Sequence, residues 1–419
     1  MNRTTGTLRA AAAVAAAAAT LLTAAPAQAH VATPPRHGGV DQTALGLQWY
    51  DLTNGAVAAS GQPEQVTQNR IWAISWIAAA RAVRDGGGDS FQDAAFASAL
   101  HDTLESLAPL DAPQLDSALA SSLAAIPDGP AKSAGIGAGQ HEAALELAAR
   151  ASDGLATAAQ VDIPWTPPAP APGVWQPTPP AYAPAIRAGI PSAQSFLLSS
   201  NSEFRAGPPP ALNSPAYLKA LAEVHSVGSA TSTTRTPAQT DVANFIAQPS
   251  IALYEQVVRG ALAAAHRPLT WQTQLVAAFN AIEIDQQIAI YDAKFTYVRW
   301  RPVTAIRTGT VDPDPSWTSL IVTPAHPEYP SGHAGYAGTA EAVLTALVGP
   351  RPVHPIATTS KTAPGVTLTF TSWQAITQDT INGRVWEGVH FRFSDDTGAR
   401  VGREVAFHDL PRLWQLGLF

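Results

Sequence analysis

The chain contains three short groups of cationic, hydroxyl and imidazole side chains whose types could bind a small anion. The first is Lys294, followed seven residues later by Arg301 and then by Pro302. Seven residues are two helical turns, so both side chains begin on one helix face about 10 Å apart. Because Pro302 disfavours helical backbone at Arg301, this arginine should turn toward a site beyond the helix end. An ordinary basic helix terminus fits the same residues.

The second group is Pro330-Ser331-Gly332-His333, which precedes a predicted helix over 334–347. Ser331 can cap that helix, Gly332 lets a ligand approach the backbone, and the free N–H groups of the first turn favour an anion. His333 would stand beside the anion, where it could give or take a proton near neutral pH. The alternative is an ordinary serine cap with a surface histidine.

The third group is Arg384 with His390 six residues later. It adds another guanidinium and a second imidazole. An imidazole with a free ring nitrogen can act as a nucleophile or as a metal ligand. Each group is weak evidence when taken alone.

Composition excludes several other classes of protein. The 419 residues are long enough for two or three packed cores or one large one, and the formal net charge is −7. A chain of this sign is a poor general ligand for nucleic acid or anionic membranes. It has no cysteine, which excludes disulfides, thiolate catalysis and iron–sulfur clusters.

The first 29 residues have the pattern of a cleaved signal peptide. Arg3 and Arg9 give a positive start, residues 10–25 are apolar, and Ala27-Gln28-Ala29 is a small-residue cleavage site. We therefore expect a secreted protein that begins near His30. The apolar run is too short for a convincing membrane span and no later run reaches eighteen residues, so we expect no stable membrane insertion.

Apolar periodicity predicts a mainly α fold. We predict an N-terminal helical region over 30–160, a proline-rich belt over 161–212, and a C-terminal helical bundle with the anion site over 213–419. Nine prolines and three large aromatic residues between 162 and 184 favour an extended segment packed on the surface. The clearest helix, over 271–298, is apolar around much of its circumference and should be buried. Only residues 366–370 read as a strand.

In this order, the three groups resemble those of the vanadium-dependent haloperoxidases and the related acid phosphatases and type 2 phosphatidic acid phosphatases. The resemblance covers roughly residues 164–396, because Phe204-Arg205 and Arg235-Thr236 also look like the secreted bacterial branch. It implies a pair of helical bundles with the site inside one of them.

The resemblance also implies roles for the motif residues. Lys294, Arg301 and Arg384 would neutralise the oxygens of vanadate, or of phosphate in a phosphatase, and Lys294 would also polarise the oxidant. Ser331 and the Gly332 N–H would donate further hydrogen bonds.

The two histidines of the motifs would do different work. His390 would bind vanadium, or become phosphorylated in a phosphatase, and His333 would be the acid–base residue on the opposite side of the anion. Two positions depart from the family pattern. Gly383 stands where the family usually has Ser, and Ser394 stands where the phosphatases have an Asp that orients the second histidine. We expect the second departure to weaken support for His390.

We therefore predict a vanadate-dependent haloperoxidase that oxidises halide with hydrogen peroxide to hypohalous acid, with a small organic acceptor as an open question. A secreted acid phosphatase acting through a phosphohistidine, and a non-catalytic oxyanion-binding protein, remain alternatives. His326, five positions before Ser331, should reach the mouth of the pocket. The resembling algal bromoperoxidases have His there and the fungal chloroperoxidases Phe, so we expect bromide and iodide to be favoured over chloride. A simple hydrogen bond from His326 to a loop carbonyl is the alternative.

Overall fold

The computed structural model describes residues 40–419. The predicted signal peptide lies outside the described residues. Within 40–419, no helix combines the length and apolarity that crossing a membrane would require.

The expected mainly α fold is confirmed. The helices of the described residues are α1 Gln42–Ala59, α2 Gln65–Ala82, α3 Asp89–Leu107, α4 Ala112–Ala124, α5 Pro130–Ala149, α6 Ala158–Val161, α7 Pro215–Val227, α8 Pro237–Ile246, α9 Ser250–Ala265, α10 Leu269–Tyr297, α11 Pro302–Thr308, α12 Gly332–Leu347, α13 Trp373–Trp386 and α14 Arg392–Asp409. Two strands, β1 Ile356–Thr359 and β2 Thr367–Phe370, pair antiparallel with Ile356 opposite Phe370. The sequence predicted the second strand and missed the first, because β1 is short and half of its residues are exposed.

Helix α10 is the centre of the molecule and carries Lys294 near its end. Its 29 residues contain no glycine or proline, and buried side chains occur on much of its circumference, as predicted. It contacts α2, α12 and α14. The helix ends at Tyr297, where Val298 adopts a left-handed conformation with φ 48°. A β-branched residue rarely accepts that conformation, so the turn toward Arg301 is held by its surroundings.

The proline-rich segment supplies part of those surroundings. The Trp175 N–H donates to the carbonyl of Val298 at 2.7 Å, and the Trp300 N–H donates to the carbonyl of Gly173 at 2.9 Å. Trp175 is completely buried. The proline-rich segment is thereby paired through its backbone with the chain between α10 and α11, which carries Arg301.

Helices α12 and α14 pack closely beneath the Ser331 loop. Gly398 and Gly402 lie one turn apart on α14, and a Cβ at either position would collide with the carbonyl of Ser331 or Gly335. Only glycine allows this approach of two backbones. The contact fixes the N-terminus of α12, where the predicted anion-binding residues lie.

Candidate active site

Lys294 is completely buried on the last turns of α10. Its Nζ donates to the carbonyl oxygens of Pro327 at 2.9 Å and of Glu328 at 2.8 Å. Burial, together with the charge of Arg301, lowers the pKa of Lys294 well below its usual value. The lysine therefore joins the central helix to the loop that leads to Ser331.

Arg301 leaves the helix direction as Pro302 predicts, since its backbone is extended with φ −81° and ψ 156°. The buried guanidinium donates through Nε to the carbonyl of His326 at 3.0 Å and through Nη1 to the carbonyl of Val389 at 2.9 Å. Nη1 also lies 3.2 Å from Nε2 of His390. Burial lowers the pKa of Arg301 to about 10, so it remains a cation at neutral pH.

Arg384 is the third buried cation and lies on the last turn of α13. Its Nη1 forms an ion pair with Glu387, and its Nε has no hydrogen-bond partner among the described residues. Burial raises the pKa of Glu387 to about 7, against the opposing charge of Arg384. The charge of Arg384 also lowers the pKa values of Lys294 and His333, which places all three groups in one electrostatic environment.

Ser331 caps α12 as predicted, because its side chain accepts a hydrogen bond from the Ala334 N–H. A Cβ built on Gly332 would meet no atom within 4 Å, so open space adjoins the N-terminus of this helix. Asp395 is buried beside Ser331, and burial raises the pKa of its carboxyl group well above the usual value. The predicted donors on the first turn of α12 thus lie beside one unpredicted carboxyl group, which belongs to the first turn of α14.

His333 also lies on that turn and is partly exposed. Its Nε2 is 3.1 Å from the carbonyl oxygen of Gln248. A carbonyl only accepts, so Nε2 carries the proton and Nδ1 is the basic nitrogen. Desolvation and the charge of Arg384 lower the pKa of His333 well below its usual value. The neutral form is therefore the base of this site at neutral pH.

His390 is buried in the loop between α13 and α14. Its Nδ1 lies 2.8 Å from Oε1 of Glu328, and this oxygen also accepts from the Phe391 N–H at 3.1 Å. The carboxylate places the proton on Nδ1 and leaves the lone pair on Nε2, which accepts from Arg301. The expectation that Ser394 weakens the support for His390 is wrong, because Glu328 reaches Nδ1 from another loop.

His326 lies inside the site, not at its mouth. It is 5% exposed, and its Nδ1 is 3.1 Å from Nη2 of Arg301. The same nitrogen is 3.1 Å from the carbonyl oxygen of Pro327. An arginine only donates, so Nδ1 must accept from Arg301, and the Pro327 oxygen accepts from Lys294 instead. The proton of His326 therefore lies on Nε2.

Gly383, the other departure from the family pattern, has a packing reason. A Cβ at this position would lie 3.1 Å from Cβ and Cγ1 of Ile246, closer than side chains normally approach. A serine would require Ile246 on α8 to move. Glycine at this position therefore allows α13 to approach α8.

The residues present fit an oxyanion with several oxygens. A bound anion favours the protonated form of Lys294, whose ammonium has three donors and uses two of them. The guanidinium of Arg301 has five donors and uses four. With Nε of Arg384, each of the three cations retains a donor among the described residues. These donors, the Gly332 N–H and Nε2 of His390 are the groups that could hold vanadate or phosphate.

Sequence reasoning missed the three buried acids Glu328, Glu387 and Asp395, which accompany the three cations. A signal was available for each, since they stand within five residues of Ser331, Arg384 or His390. Their closeness in sequence to the motif residues did not indicate where each side chain points, because loops and helix ends set those directions.

Residues 274–415 match the family model of the VCPO second helical-bundle domain. A bacterial vanadium-dependent iodoperoxidase is 21% identical and superposes with a TM-score of 0.73 over 90% of this chain and 98% of that one. The holo form of a bacterial vanadium-dependent chloroperoxidase is 17% identical, with a TM-score of 0.66 over 86% of this chain and 94% of that one. No curated protein sequence matches this chain significantly.

These findings confirm the resemblance to the vanadium-dependent haloperoxidases that the three motifs indicated. The matched range 274–415 contains every predicted site residue from Lys294 to His390. At these identities, the similarity to the solved structures concerns the fold.

Proposed function

We propose that this chain, with the haloperoxidase fold, is a vanadate-dependent haloperoxidase that oxidises halide with hydrogen peroxide to hypohalous acid. One observation carries the proposal. Nε2 of His390 keeps its lone pair, which accepts from Arg301 in this structure, because Glu328 holds the proton on Nδ1. A neutral imidazole with a fixed tautomer, surrounded by three buried cations, is suited to hold the metal atom of an oxyanion.

The residues of the site divide the remaining work. Lys294, Arg301 and Arg384 would hold the anion's oxygens, and their positions are fixed before the ligand arrives. Bound vanadate would supply a Lewis-acidic centre that activates hydrogen peroxide toward halide without a change of oxidation state. Nδ1 of His333 would take and return the proton at the opening beside Gly332.

The composition is compatible with a protein that makes a strong oxidant. It contains no cysteine, and its only methionine is Met1. Cysteine and methionine are the side chains that hypohalous acid oxidises most readily. We further propose that residues 1–29 direct export, and cleavage there would remove this methionine too.

A phosphatase remains the second candidate, and the Glu328 contact favours it. A nucleophilic histidine needs a carboxylate on its far nitrogen, and Glu328 supplies one. His333 would then protonate the leaving group. The cationic pocket serves phosphate and vanadate alike, so electrostatics alone does not choose between the two activities.

The experiment uses protein freed of vanadate by chelation and dialysis. It is assayed with hydrogen peroxide and bromide, before and after addition of vanadate, and separately with a generic phosphomonoester. Bromide oxidation that appears with vanadate and falls as phosphate is added supports the haloperoxidase. Phosphomonoester hydrolysis without bromide oxidation supports the phosphatase, and binding of both anions without turnover indicates an oxyanion-binding protein.

A further inference from the structure

A row of polar contacts runs from His326 away from the anion site toward the protein surface. The Tyr291 hydroxyl lies 3.5 Å from Nε2 of His326, and the two rings meet edge to face with centroids 5.4 Å apart. Nη1 of Arg187 donates to the same hydroxyl at 2.7 Å. Nε of Arg187 forms an ion pair with Glu64, directly before α2.

We propose that Glu64, Arg187 and Tyr291 are positioning residues that fix the orientation and tautomer of His326 and so contribute to halide selectivity. The proposal rests on the haloperoxidase function proposed above. It assigns a role in the site to two parts of the chain outside the matched range 274–415.

The tautomer of His326 follows from its two neighbours. Arg301 donates to Nδ1, so Nε2 carries the hydrogen and faces the Tyr291 oxygen. That oxygen accepts from both Arg187 and His326, which uses its two lone pairs. Without the hydroxyl, Nε2–H would lose its acceptor, and the ring could turn to place a proton toward the Pro327 carbonyl.

The backbone at Arg187 gives a separate indication that this side chain is held in place. Arg187 has φ 66°, in the left-handed region that an arginine seldom occupies. Its N–H donates to Asp162 at 2.7 Å, and the adjacent Ile186 N–H donates to the carbonyl of Ala325 at 2.9 Å. The segment is thus hydrogen-bonded to the residue before His326 as well as to Tyr291 through Arg187. Strain of this kind persists where the surroundings impose it, and it concentrates at functional sites.

Electrostatics agrees with this arrangement. The Arg187 side chain is one-quarter exposed and Glu64 is buried, so their ion pair is shielded from water. Burial lowers the pKa of His326 well below its usual value, and the charges of Lys294, Arg301 and Arg187 act in the same direction. His326 therefore stays neutral, and its role depends on which nitrogen carries the hydrogen.

Three variants test the proposal at successive positions along the row of contacts that begins at His326. Tyr291→Phe removes only the hydroxyl, Arg187→Met removes the cation at similar length, and Glu64→Gln removes the outer charge. Tyr297→Phe is the matched control, because it removes a hydroxyl from the same helix that bonds the carbonyl of Ala206 and touches neither His326 nor Arg187.

Two measurements are made on the full chain. The ¹⁵N signals of histidine-labelled protein, assigned with a His326→Gln variant, report the tautomer without vanadate. Tyr291→Phe and Arg187→Met should shift the His326 signals, and Tyr297→Phe should not. The ratio of kcat/KM for bromide to that for iodide should change by about threefold to tenfold, the equivalent of one hydrogen bond. The Kd for inorganic phosphate should stay within about twofold, as expected for a site that is not directly altered.

The outcomes separate the two proposals. Unchanged His326 signals in Tyr291→Phe and Arg187→Met, or equal changes in Tyr297→Phe, would overturn the positioning role. Shifted signals with an unchanged halide ratio would overturn the selectivity role. A wild-type protein that oxidises no halide would refute the haloperoxidase, while the ¹⁵N signals would still decide whether these residues position His326.

Discussion

Glu328 and His390 are 62 residues apart in the chain, and their side chains meet at 2.8 Å in the interior of the protein. The same carboxylate oxygen accepts from the backbone of Phe391, so it fixes both the imidazole and the loop that carries it. The backbone carbonyl of Glu328 also accepts from Lys294. One residue thus joins two of the three motifs that the sequence presents separately.

Replacement of Glu328 tests this relationship. Glu328→Gln keeps the shape of the side chain but removes its charge and leaves its amide free to face the imidazole either way. We expect the affinity for vanadate and for phosphate to fall by about 10-fold to 100-fold, the usual loss when a metal-binding histidine loses its outer partner. Titration calorimetry with each anion measures this effect directly.

The control for that experiment is Glu341→Gln, which removes a carboxylate from the outer side of α12. It should leave both affinities unchanged. If Glu328→Gln binds both anions as the wild type does, Glu328 does not set the tautomer of His390.

Replacement of the two motif histidines should affect anion binding and turnover differently. His390→Ala removes the proposed ligand of vanadium, so tight vanadate binding and turnover should both be lost. His333→Ala should spare much of the binding and slow turnover by about 100-fold or more, as expected for loss of an acid–base group. Binding isotherms and steady-state rates measured on the same preparations separate the two. Equal behaviour of both variants would contradict the division of roles.

Arg384 and Glu387 form a buried ion pair, and a double-variant experiment should separate its contribution to stability from its contribution to anion binding. Arg384→Met should abolish anion binding and lower the free energy of unfolding by about 3–5 kcal/mol, because it leaves a buried carboxylate unpaired. Adding Glu387→Gln should restore most of the stability and none of the binding. Denaturant unfolding and phosphate titration of the single and double variants check both statements.

The sequence predicted the helices and the three motifs well, because each depends on local rules. Apolar spacing predicted α10 nearly to its ends, Pro302 predicted the extended backbone at Arg301, and Ser331 predicted the cap of α12. Contacts between segments that are distant in the chain could not be predicted in this way. Glu328 stands three residues before Ser331, and its side chain contacts the loop after α13, which the sequence does not place beside it.

The contact of the proline-rich segment with the candidate site could not be predicted from the sequence either. Arg187 lies outside all three motifs, and nothing in its neighbours indicates a left-handed backbone. The placement of His326 shows the same limit, since the spacing to Ser331 located it near the site but not against Arg301. Register along a helix is local information, whereas the position of a loop side chain depends on the packing of the whole domain.

A buried acid remote from the anion site should make stability depend on pH. Glu255, in contact with Tyr50, has its pKa raised by burial from 4.5 to about 8. The folded protein therefore keeps a proton that the unfolded chain releases, and the free energy of unfolding should fall as pH rises from about 4.5 to about 8. In Glu255→Gln this fall should be smaller. Urea unfolding across that range measures this difference, with the partly exposed Glu404→Gln as control. Parallel curves for Glu255→Gln and wild type would contradict the assignment.

The last prediction concerns halide preference and the buried imidazole of His326. Chloride is the hardest of the common halides to oxidise, and the polar ring beside Arg301 makes the surroundings of the anion site less apolar. We expect the wild type to oxidise iodide and bromide and to oxidise chloride poorly. His326→Phe replaces the imidazole by an apolar ring and frees an Arg301 donor, so it should raise the chloride-to-bromide ratio of kcat/KM. His326→Gln, which keeps a polar acceptor, should change the ratio less. Halogenation of a phenol dye at equal halide concentrations, followed across acidic pH, measures these ratios. Chloride turnover equal to that of bromide in the wild type would refute the selectivity and leave the oxyanion site as described.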